Sequence, residues 1–481
     1  MTAIPEHPRG VVPQGNALVP GAAASIRASG LGAFAVFSDS DLLDLLKRLG
    51  VWAVGKLAQC SRAMYTYANE EEIWRAVVLA DDGLCGFGFV DSWRTTWLTM
   101  HASEKISAEY MAEMMAGRGL KAGPWRGLYS DYLAQGWDET IERIKASEVS
   151  VEEFVARYDR ENVPVVIEGA IEHWPAVAER LWSKDALVER HGATRFACGL
   201  ADLTLGEYFQ YSAATREEVP IYLFDKAFGE KEPGLVDEYE VPEYFGREDF
   251  FAELAADVRP RFRWFLIGPA RSGSTFHKDP NYTSAWNGLV SGKKKWVLFP
   301  PHYTPPGVFP SGDGWDVTAP LSLASWFLNF YADSRSPDAP VQPVLAVQKP
   351  GDVLFIPAQW WHTALNLEES IAVTQNYVSQ SNLPEVVDFV SRKADTSLYD
   401  ALRASLDANH PGLVEKIRAE REASGWSKKH FFPMPKDVSP AATAAAAAAA
   451  ASNGGGSWWN GVTAAAASNA EAGSSFGFTF G

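Results

Sequence analysis

Between residues 151 and 382 the chain consists of short runs rich in β-branched and aromatic residues, and Gly, Pro, Asn or Asp separates one run from the next. Clear runs are residues 263–267, 295–299, 353–356 and 371–377. Runs of this length and composition are typical of β-strands, and many of them in succession indicate a sandwich or a barrel. Helical patterns flank this stretch on both sides, so the sequence predicts an α+β protein built around one β-sandwich or barrel.

The composition excludes several classes of protein. The chain has 481 residues, a formal net charge of −17 and 47% hydrophobic residues. Such a chain can bury a sizeable core, and its acidic balance argues against direct sequence-specific binding of nucleic acid. It has no window of about 18 strongly apolar residues, so we expect no membrane span. The distant Cys60, Cys85 and Cys198 predict a reducing compartment, the nucleus and/or the cytoplasm.

Changes in composition divide the chain into segments. Both ends carry little charge and are rich in Pro, Gly or Ala, which favours flexible or disordered chain. The predicted division is a flexible leader (1–35), a helical unit (36–82), a connecting segment (83–150), the barrel (151–382), a C-terminal helical appendix (383–437) and a low-complexity, disordered tail (438–481). Pairing of the appendix with a copy of itself would give a homodimer.

The helical unit is predicted to contain three short amphipathic helices. Leucines at positions 42, 45, 46 and 49 make one apolar stripe, which Gly50 ends. A second helical pattern covers residues 52–63, and a third begins at Asn69, where Glu72 gives a capping-box-like start.

This unit resembles an F-box in its leucine-rich first helix, in residues 57–62 and in Trp74. The resemblance implies docking to the Skp adaptor of an SCF ubiquitin ligase. Phe37 and Ser38 stand where an F-box usually opens with Leu-Pro. A helical prelude that packs on the next domain is the alternative interpretation.

His277, Asp279 and His362 are candidate metal ligands. Alternation along a strand puts His277 and Asp279 on one face, and neighbouring strands of a barrel can bring His362 to them. Two imidazoles and one carboxylate are the facial-triad ligands of Fe(II), whereas Ca or Mg prefers oxygen ligands. Because a single His-x-Asp arises often by chance, ordinary structural roles are the alternative.

Lys294 is a candidate anion partner. Alternation predicts that Lys294, Trp296 and Leu298 share one face of a strand, while Lys293 and Lys295 point to solvent on the other. A chelating, anionic co-substrate needs a buried cation, and Thr374 on a later strand could add a hydroxyl donor. A charged strand end is the alternative for Lys294.

Residues 265–287, 294–301, 360–366 and 371–376 together resemble the JmjC oxygenases. Within that family the chain is similar to lysyl hydroxylases and to proteins that join an F-box to a JmjC domain. The resemblance implies a double-stranded β-helix, which is a jelly-roll or cupin-like barrel, and it implies Fe(II), 2-oxoglutarate and O2 as the reaction's cofactor and co-substrates.

The same resemblance assigns residues of the site. It implies iron ligands His277, Asp279 and His362, carboxylate partners Lys294 and Thr374, polar neighbours Asn287 and Tyr222, and Ser274 as a further candidate. Asp352, where relatives often carry Glu, is predicted to be a turn residue without a catalytic role.

The implied reaction couples the conversion of 2-oxoglutarate to succinate and CO2 with insertion of oxygen into a C–H bond. Hydroxylation of a lysyl carbon and demethylation of methyl-lysyl or methyl-arginyl residues share this chemistry. An acidic segment favours a basic protein or peptide substrate, with a solvated loop as the alternative. That segment contains Glu217, Glu218, Asp237, Glu238 and Glu240.

Two further functions stay open from the sequence. In the first, the protein is an F-box substrate receptor of a ubiquitin ligase with a non-catalytic barrel. In the second, the barrel is a zinc or nickel isomerase of the cupin type, which requires that 2-oxoglutarate does not bind and that Lys294 is dispensable.

Overall fold

The computed structural model describes residues 27–80, 88–90, 92–102, 138–199, 201–215, 217, 219–310, 317–318, 323, 326–327 and 330–426. Most of the predicted leader and of the connecting segment, Cys85, and the predicted tail over 438–481 lie outside the described residues. In the described part, no helix is both long and apolar enough to cross a membrane.

The N-terminal helical unit contains more, and shorter, helices than its sequence predicts. Its helices are α1 Arg27–Leu31, α2 Asp39–Lys47, α3 Val51–Leu57, α4 Arg62–Ala68, α5 Glu71–Leu79 and α6 Trp93–Ala102, with a helical turn Gly32–Val36 after α1. The folded unit therefore extends into the predicted leader, where Leu31 is buried in the core.

Two details of the predicted helices are wrong. The pattern over 52–63 is broken, because the Ser61 hydroxyl accepts from the Met64 N–H at 3.0 Å and begins a separate helix. Asn69 does not cap α5, since its side chain donates back to the Tyr65 carbonyl at 2.7 Å. The apolar stripe of α2 is confirmed, with Leu42 and Leu46 buried.

Eleven of the described strands form two large sheets, and the other four form two small ladders. Their bounds are β1 Glu142–Lys145, β2 Val165–Glu168, β3 Arg195–Ala197, β4 Asp202–Thr204, β5 Leu223–Asp225, β6 Arg263–Gly268, β7 Gly273–His277, β8 Ser284–Ser291, β9 Lys294–Phe299, β10 Phe309–Pro310, β11 Val317–Thr318, β12 Val344–Gln348, β13 Val353–Ile356, β14 Trp361–Asn366 and β15 Ser370–Tyr377. The major sheet has the order β1-β2-β13-β8-β15-β6-β5, and the minor sheet has the order β12-β9-β14-β7. Two small ladders pair β3 with β4 and β10 with β11.

The two sheets face each other and enclose the barrel core. Pairing within them is antiparallel except between β1 and β2. Val166 and Leu354 of the major sheet pack in one cluster with Leu298 and Ala346 of the minor sheet. Strand order and facing sheets confirm the predicted double-stranded β-helix.

Helices and loops cover the outer face of the major sheet. These elements are α7 Val151–Phe154 with a π-helical turn Val155–Asp159, α8 Pro175–Ala178, α9 Lys184–His191, α10 Leu205–Ala214, α11 Phe228–Lys231 and α12 Glu243–Gly246. Trp174, Phe265 and Trp286 belong to a large apolar cluster that also includes the N-terminal helices. The helical unit therefore packs on the barrel domain.

The appendix forms three helices, α14 Leu383–Val390, α15 Ser397–Asn409 and α16 Leu413–Ala423. The short helix α13 Tyr331–Ser334 lies before β12 and is not part of the appendix. The helical patterns predict α14 and α16 in part, but α15 was missed. These helices share an apolar cluster with Phe250, Phe251 and Tyr282.

Lys295 is buried, so its predicted exposure to solvent is wrong. Its Nζ donates to the Tyr331 hydroxyl of α13 at 3.0 Å. The segment that carries α13 covers the outer face of the minor sheet, and alternation along β9 contains no information about that cover. Lys293 keeps the predicted exposed position and pairs with Glu368 at 2.8 Å.

Gly292 connects β8 to β9 in a conformation that a side chain would disturb. Its φ is +85°, and an added Cβ would lie 2.2 Å from the Glu369 carbonyl oxygen. We expect Gly292→Ala to lower the free energy of unfolding by about 3 kcal/mol, since backbone strain and a clash combine. Thermal or urea unfolding measures this change.

Gly199→Ala is the matched control. Gly199 has a φ of +75°, and among the described residues no heavy atom lies within 4 Å of its added Cβ. Gly199→Ala should lower the free energy of unfolding by only about 1 kcal/mol. Equal losses of stability in the two variants would contradict a clash at Gly292.

Candidate active site

The pairing of β7 with β14 brings two histidines together. His277 lies directly opposite His362 in this antiparallel pair, and their ring centroids are 4.2 Å apart. Asp279 follows β7, with its Oδ2 at 3.9 Å from His362 Nε2. One ligand atom from each of the three residues lies within 4.8 Å of the others. The predicted trio thus forms a group that could hold a metal ion.

Backbone carbonyls set the tautomer of both rings. Nδ1 of His277 is 2.8 Å from the Thr275 carbonyl oxygen, and Nδ1 of His362 is 3.0 Å from the Trp360 carbonyl oxygen. A carbonyl only accepts, so Nδ1 carries the hydrogen in each neutral ring and Nε2 carries the lone pair. This arrangement orients ligand nitrogens in metal sites.

Burial controls the charge of the three groups. It lowers the pKa of His277 and of His362 to about 4, with the neighbouring His362 adding to the effect on His277. Both imidazoles are therefore neutral near pH 7. Burial also raises the pKa of Asp279 to about 6, because the carboxylate has lost water. Neutral imidazoles beside a poorly solvated carboxylate fit a divalent transition metal.

Asn376 supports the carboxylate of Asp279. Its Nδ2 donates to Asp279 Oδ1 at 3.2 Å and to the Thr283 hydroxyl at 2.9 Å. Sequence reasoning assigned no role to Asn376, although alternation along β15 puts it on the same face as Thr374. After Asp279 the chain turns through left-handed conformations at Asn281 (φ +57°) and Tyr282 (φ +61°).

A β-bulge allows Ser274 and His277 to face the same way. His277 pairs with His362 and Ser274 pairs with Ala364, so β7 advances three residues while β14 advances two. The extra residue in β7 reverses the alternation. Both side chains consequently line the pocket, which regular alternation would forbid.

All the predicted site residues line one pocket of about 480 Å³, a volume that includes space open to solvent. The pocket is lined by His277, Asp279, His362, Lys294, Thr374, Asn287, Tyr222 and Ser274, and also by Phe224, Trp264, Leu266, Ala285, Trp296, Ile356, Ala364 and Asn376. The structure therefore brings together every residue that the sequence nominated.

Lys294 lies at the opposite end of the pocket from the metal trio. His362 is level with Leu298 and Asn366 is level with Lys294, so the two ends are about 13 Å apart along the strands. Lys294 Nζ donates to the Tyr222 hydroxyl at 2.9 Å. Within the described residues no ion pair involves Lys294, and burial lowers its pKa to about 7. A buried cation without a counter-ion is a site for an anion.

Three strands present polar and aromatic side chains between these ends. Trp264, Thr374 and Asn287 are level with one another on β6, β15 and β8. The Thr374 hydroxyl donates to the Trp286 carbonyl at 2.8 Å, so it must rotate before it donates to a ligand. Oδ1 of Asn287 is buried with no hydrogen-bond partner in the described structure.

The tryptophans near the motif residues differ in role. Trp296 lines the pocket and donates to Gln348 Oε1 at 2.9 Å. Trp286, Trp360 and Trp361 belong to apolar clusters and are core residues. As predicted, Asp352 is structural, since its Oδ2 accepts from Arg143 at 2.7 Å and from the Lys349 N–H at 2.9 Å.

The acidic segment does not form a single surface for a basic substrate. Glu217 is buried and pairs with Arg75 at 3.1 Å, and the buried Glu238 pairs with Arg190. Asp237 and Glu240 are exposed, while Glu218 lies outside the described residues. Two of its four described carboxylates are thus paired within the chain, so the segment does not present its full negative charge to a substrate.

The class of protein follows from sheet order, motif positions and sequence comparison. Residues 150–382 match the family model of the cupin-like domain. The chain belongs to the JmjC family of cupin-like proteins.

Its relatives include characterised proteins. The chain is 41% identical over 444 residues to the arginine-specific demethylase JMJ22 of Arabidopsis thaliana. The aligned region covers 87% of this chain and 85% of the relative. The chain is 32% identical over 352 residues to the bifunctional arginine demethylase and lysyl-hydroxylase psr-1 of Caenorhabditis elegans, covering 65% and 84%. It is 29% identical over 167 residues to the 2-oxoglutarate and iron-dependent oxygenase JMJD4 of Mus musculus, covering 33% and 36%.

Proposed function

We propose that this protein is an Fe(II)- and 2-oxoglutarate-dependent oxygenase that hydroxylates lysyl residues, or demethylates methyl-lysyl or methyl-arginyl residues, of basic proteins. One observation carries the proposal: a His-Asp-His trio and a buried lysine, which has no counter-ion among the described residues, lie at opposite ends of one pocket. The names of the relatives support iron, 2-oxoglutarate and a lysyl or arginyl target.

His277, Asp279 and His362 would hold the iron through the two Nε2 atoms and the carboxylate. Bound iron, together with 2-oxoglutarate and O2, supplies the oxidation of a C–H bond, and the co-substrate leaves as succinate and CO2. The carbonyls of Thr275 and Trp360 keep the two rings in the ligating tautomer. Asn376 holds the carboxylate of Asp279 in place.

Lys294 would bind the distal carboxylate of 2-oxoglutarate, with Tyr222 beside it. A carboxylate restores the charge partner that burial denies to the lysine. Thr374, Asn287 and Ser274 are the neutral polar groups between the two ends. Leu266, Ala285 and Ile356 form an apolar part of the pocket wall. This wall limits the access of water to the reacting carbon.

Turnover on a basic peptide library tests the proposal. With Fe(II) and 2-oxoglutarate we expect succinate and, by mass spectrometry, either a gain of about 16 Da for hydroxylation or a loss of about 14 Da for demethylation. Asp279→Ala should lower turnover by about a hundredfold or more, because the trio loses its carboxylate. When Co(II) is added in place of iron, the same variant should lack the visible absorption of protein-bound Co(II).

The exposed Asp237 provides the matched control, and Asp237→Ala should retain turnover and Co(II) binding. If the wild-type protein binds iron but forms no succinate from 2-oxoglutarate, the proposed oxygenase activity is refuted.

Binding of 2-oxoglutarate should be accompanied by proton uptake at Lys294. Burial holds the pKa of Lys294 at about 7, so the amine is mostly neutral at pH 8, and a bound dianion raises its pKa again. Calorimetry of the metal-loaded protein, in buffers of different ionisation heat, should show that 2-oxoglutarate binding takes up more protons at pH 8 than at pH 6.

Lys294→Arg distinguishes this site from other titrating groups. The guanidinium is charged throughout this pH range, so the variant should take up almost no proton even if its affinity falls. Uptake that is unchanged in Lys294→Arg would show that another group titrates.

Adaptor docking is a second proposed role, supported by exposed apolar side chains on the helical unit. Val36 is 83% exposed and Trp52 is 78% exposed, although both are large hydrophobic residues. Purified Skp adaptor should bind the wild-type protein, and Trp52→Glu should abolish binding. Val188→Glu, which changes an exposed residue on α9, should leave adaptor binding unchanged.

A homodimer through α14–α16 and residence in the nucleus and/or the cytoplasm stay predictions.

A further inference from the structure

A buried ion pair joins the helical unit to the barrel domain. Arg75 of α5 is 8% exposed, and its Nη1 lies 3.1 Å from Oε1 of Glu217, which is 3% exposed. The same guanidinium nitrogen donates to the Val219 carbonyl at 2.8 Å. Removing one member of such a pair leaves an uncompensated buried charge, so the surrounding chain must rearrange.

Glu217 organises the described residues that lie between α10 and Tyr222, a segment that here means Thr215, Glu217 and residues 219–221. Its Oε2 accepts from the Tyr211 hydroxyl and, at 3.3 Å, from the Thr215 hydroxyl. The Tyr211 oxygen in turn accepts from the Ile221 N–H at 2.7 Å. Both ends of the segment are thus tied, directly or through Tyr211, to the carboxylate that Arg75 neutralises.

Two routes lead from this segment to the far end of the pocket. The first is covalent, since Tyr222 follows Ile221 and its hydroxyl accepts from Lys294. The second passes through Arg271, whose Nε donates to the Glu217 carbonyl at 3.0 Å and whose backbone N–H donates to the Asn366 carbonyl at 2.8 Å.

The second route ends beside Lys294. Asn366 lies level with Lys294 on the neighbouring strand, and its Nδ2 donates to the Ser272 hydroxyl at 2.8 Å. Arg271 has a φ of +77°, which is uncommon for a residue with a side chain, so its surroundings must hold it there.

We propose that Arg75 is a positioning residue for the 2-oxoglutarate pocket. It acts by holding Glu217 and Val219, and thereby the Tyr222 hydroxyl at Lys294. This inference rests on the proposed function, because it assigns the far end of the pocket to the co-substrate. The N-terminal helical unit then contributes to the oxygenase site, whether or not it also docks an adaptor. Any event that displaces α5 changes the affinity for 2-oxoglutarate, and by linkage bound 2-oxoglutarate favours one position of α5.

Arg75→Met in the full-length protein tests the proposal. Calorimetry with 2-oxoglutarate on the Mn(II)-loaded protein should show a Kd raised about tenfold. Steady-state kinetics should show a similar rise in KM for 2-oxoglutarate, while kcat at saturating co-substrate stays within about twofold of the wild type. Arg75→Lys retains the charge opposite Glu217 and should recover part of the affinity.

Arg27→Met is the matched control for loss of stability. Arg27 is also a buried arginine of the helical unit, and it donates to Tyr67 Oη at 3.1 Å and to the Phe37 carbonyl at 2.6 Å. Its loss should lower the melting temperature but leave the Kd for 2-oxoglutarate unchanged. If Arg75→Met does not fold, Glu217→Gln carries the same expectation, since it removes the countercharge and keeps the shape of the side chain.

The outcomes separate the two proposals. A folded Arg75→Met or Glu217→Gln protein with wild-type Kd overturns the positioning role. Equal loss of affinity in Arg27→Met overturns it too, because general destabilisation would then explain the effect. Wild-type protein that fails to bind 2-oxoglutarate refutes the proposed function itself, and the positioning role with it.

Discussion

The antiparallel pairing of β7 with β14 is the interaction on which the site depends. It joins strands that are far apart in the chain and sets His277 opposite His362. Each ring then donates to the carbonyl two residues before it, so strand geometry fixes the tautomers as well as the positions. The bulge in the same pair turns Ser274 inward, which means that a single strand contact shapes both the metal end and part of the pocket wall.

The far end of the pocket depends on a cation that is costly to bury. Lys294 has the Tyr222 hydroxyl as a partner, and burial lowers its pKa because the charged form has lost water. Under the proposed function, a dicarboxylate that reaches from the metal to the lysine would offset that cost. The residues before Tyr222 contact the helical unit, because Arg75 of α5 pairs with Glu217 and donates to the Val219 carbonyl.

Much of the fold and of the site could be predicted from local patterns. Alternation along β9 predicted that Lys294 and Trp296 face inward, and the structure places both on the pocket. The same alternation failed for Lys295, because the cover supplied by α13 comes from a distant part of the chain. The sequence overstates the free charge of the acidic segment for a related reason: Arg75 and Arg190, which pair with Glu217 and Glu238, come from separate elements.

Local patterns in the chain were enough to predict the β-rich core, the residue types of the trio and the inward lysine, because apolar periodicity and chemical identity are local properties. The contact of Asn376 with Asp279, the bulge that turns Ser274 into the pocket and the reach of Arg75 to Val219 emerged only from the folded chain. Each of these contacts joins residues that are distant in the chain, and strand register and helix packing, which no short pattern encodes, bring them together.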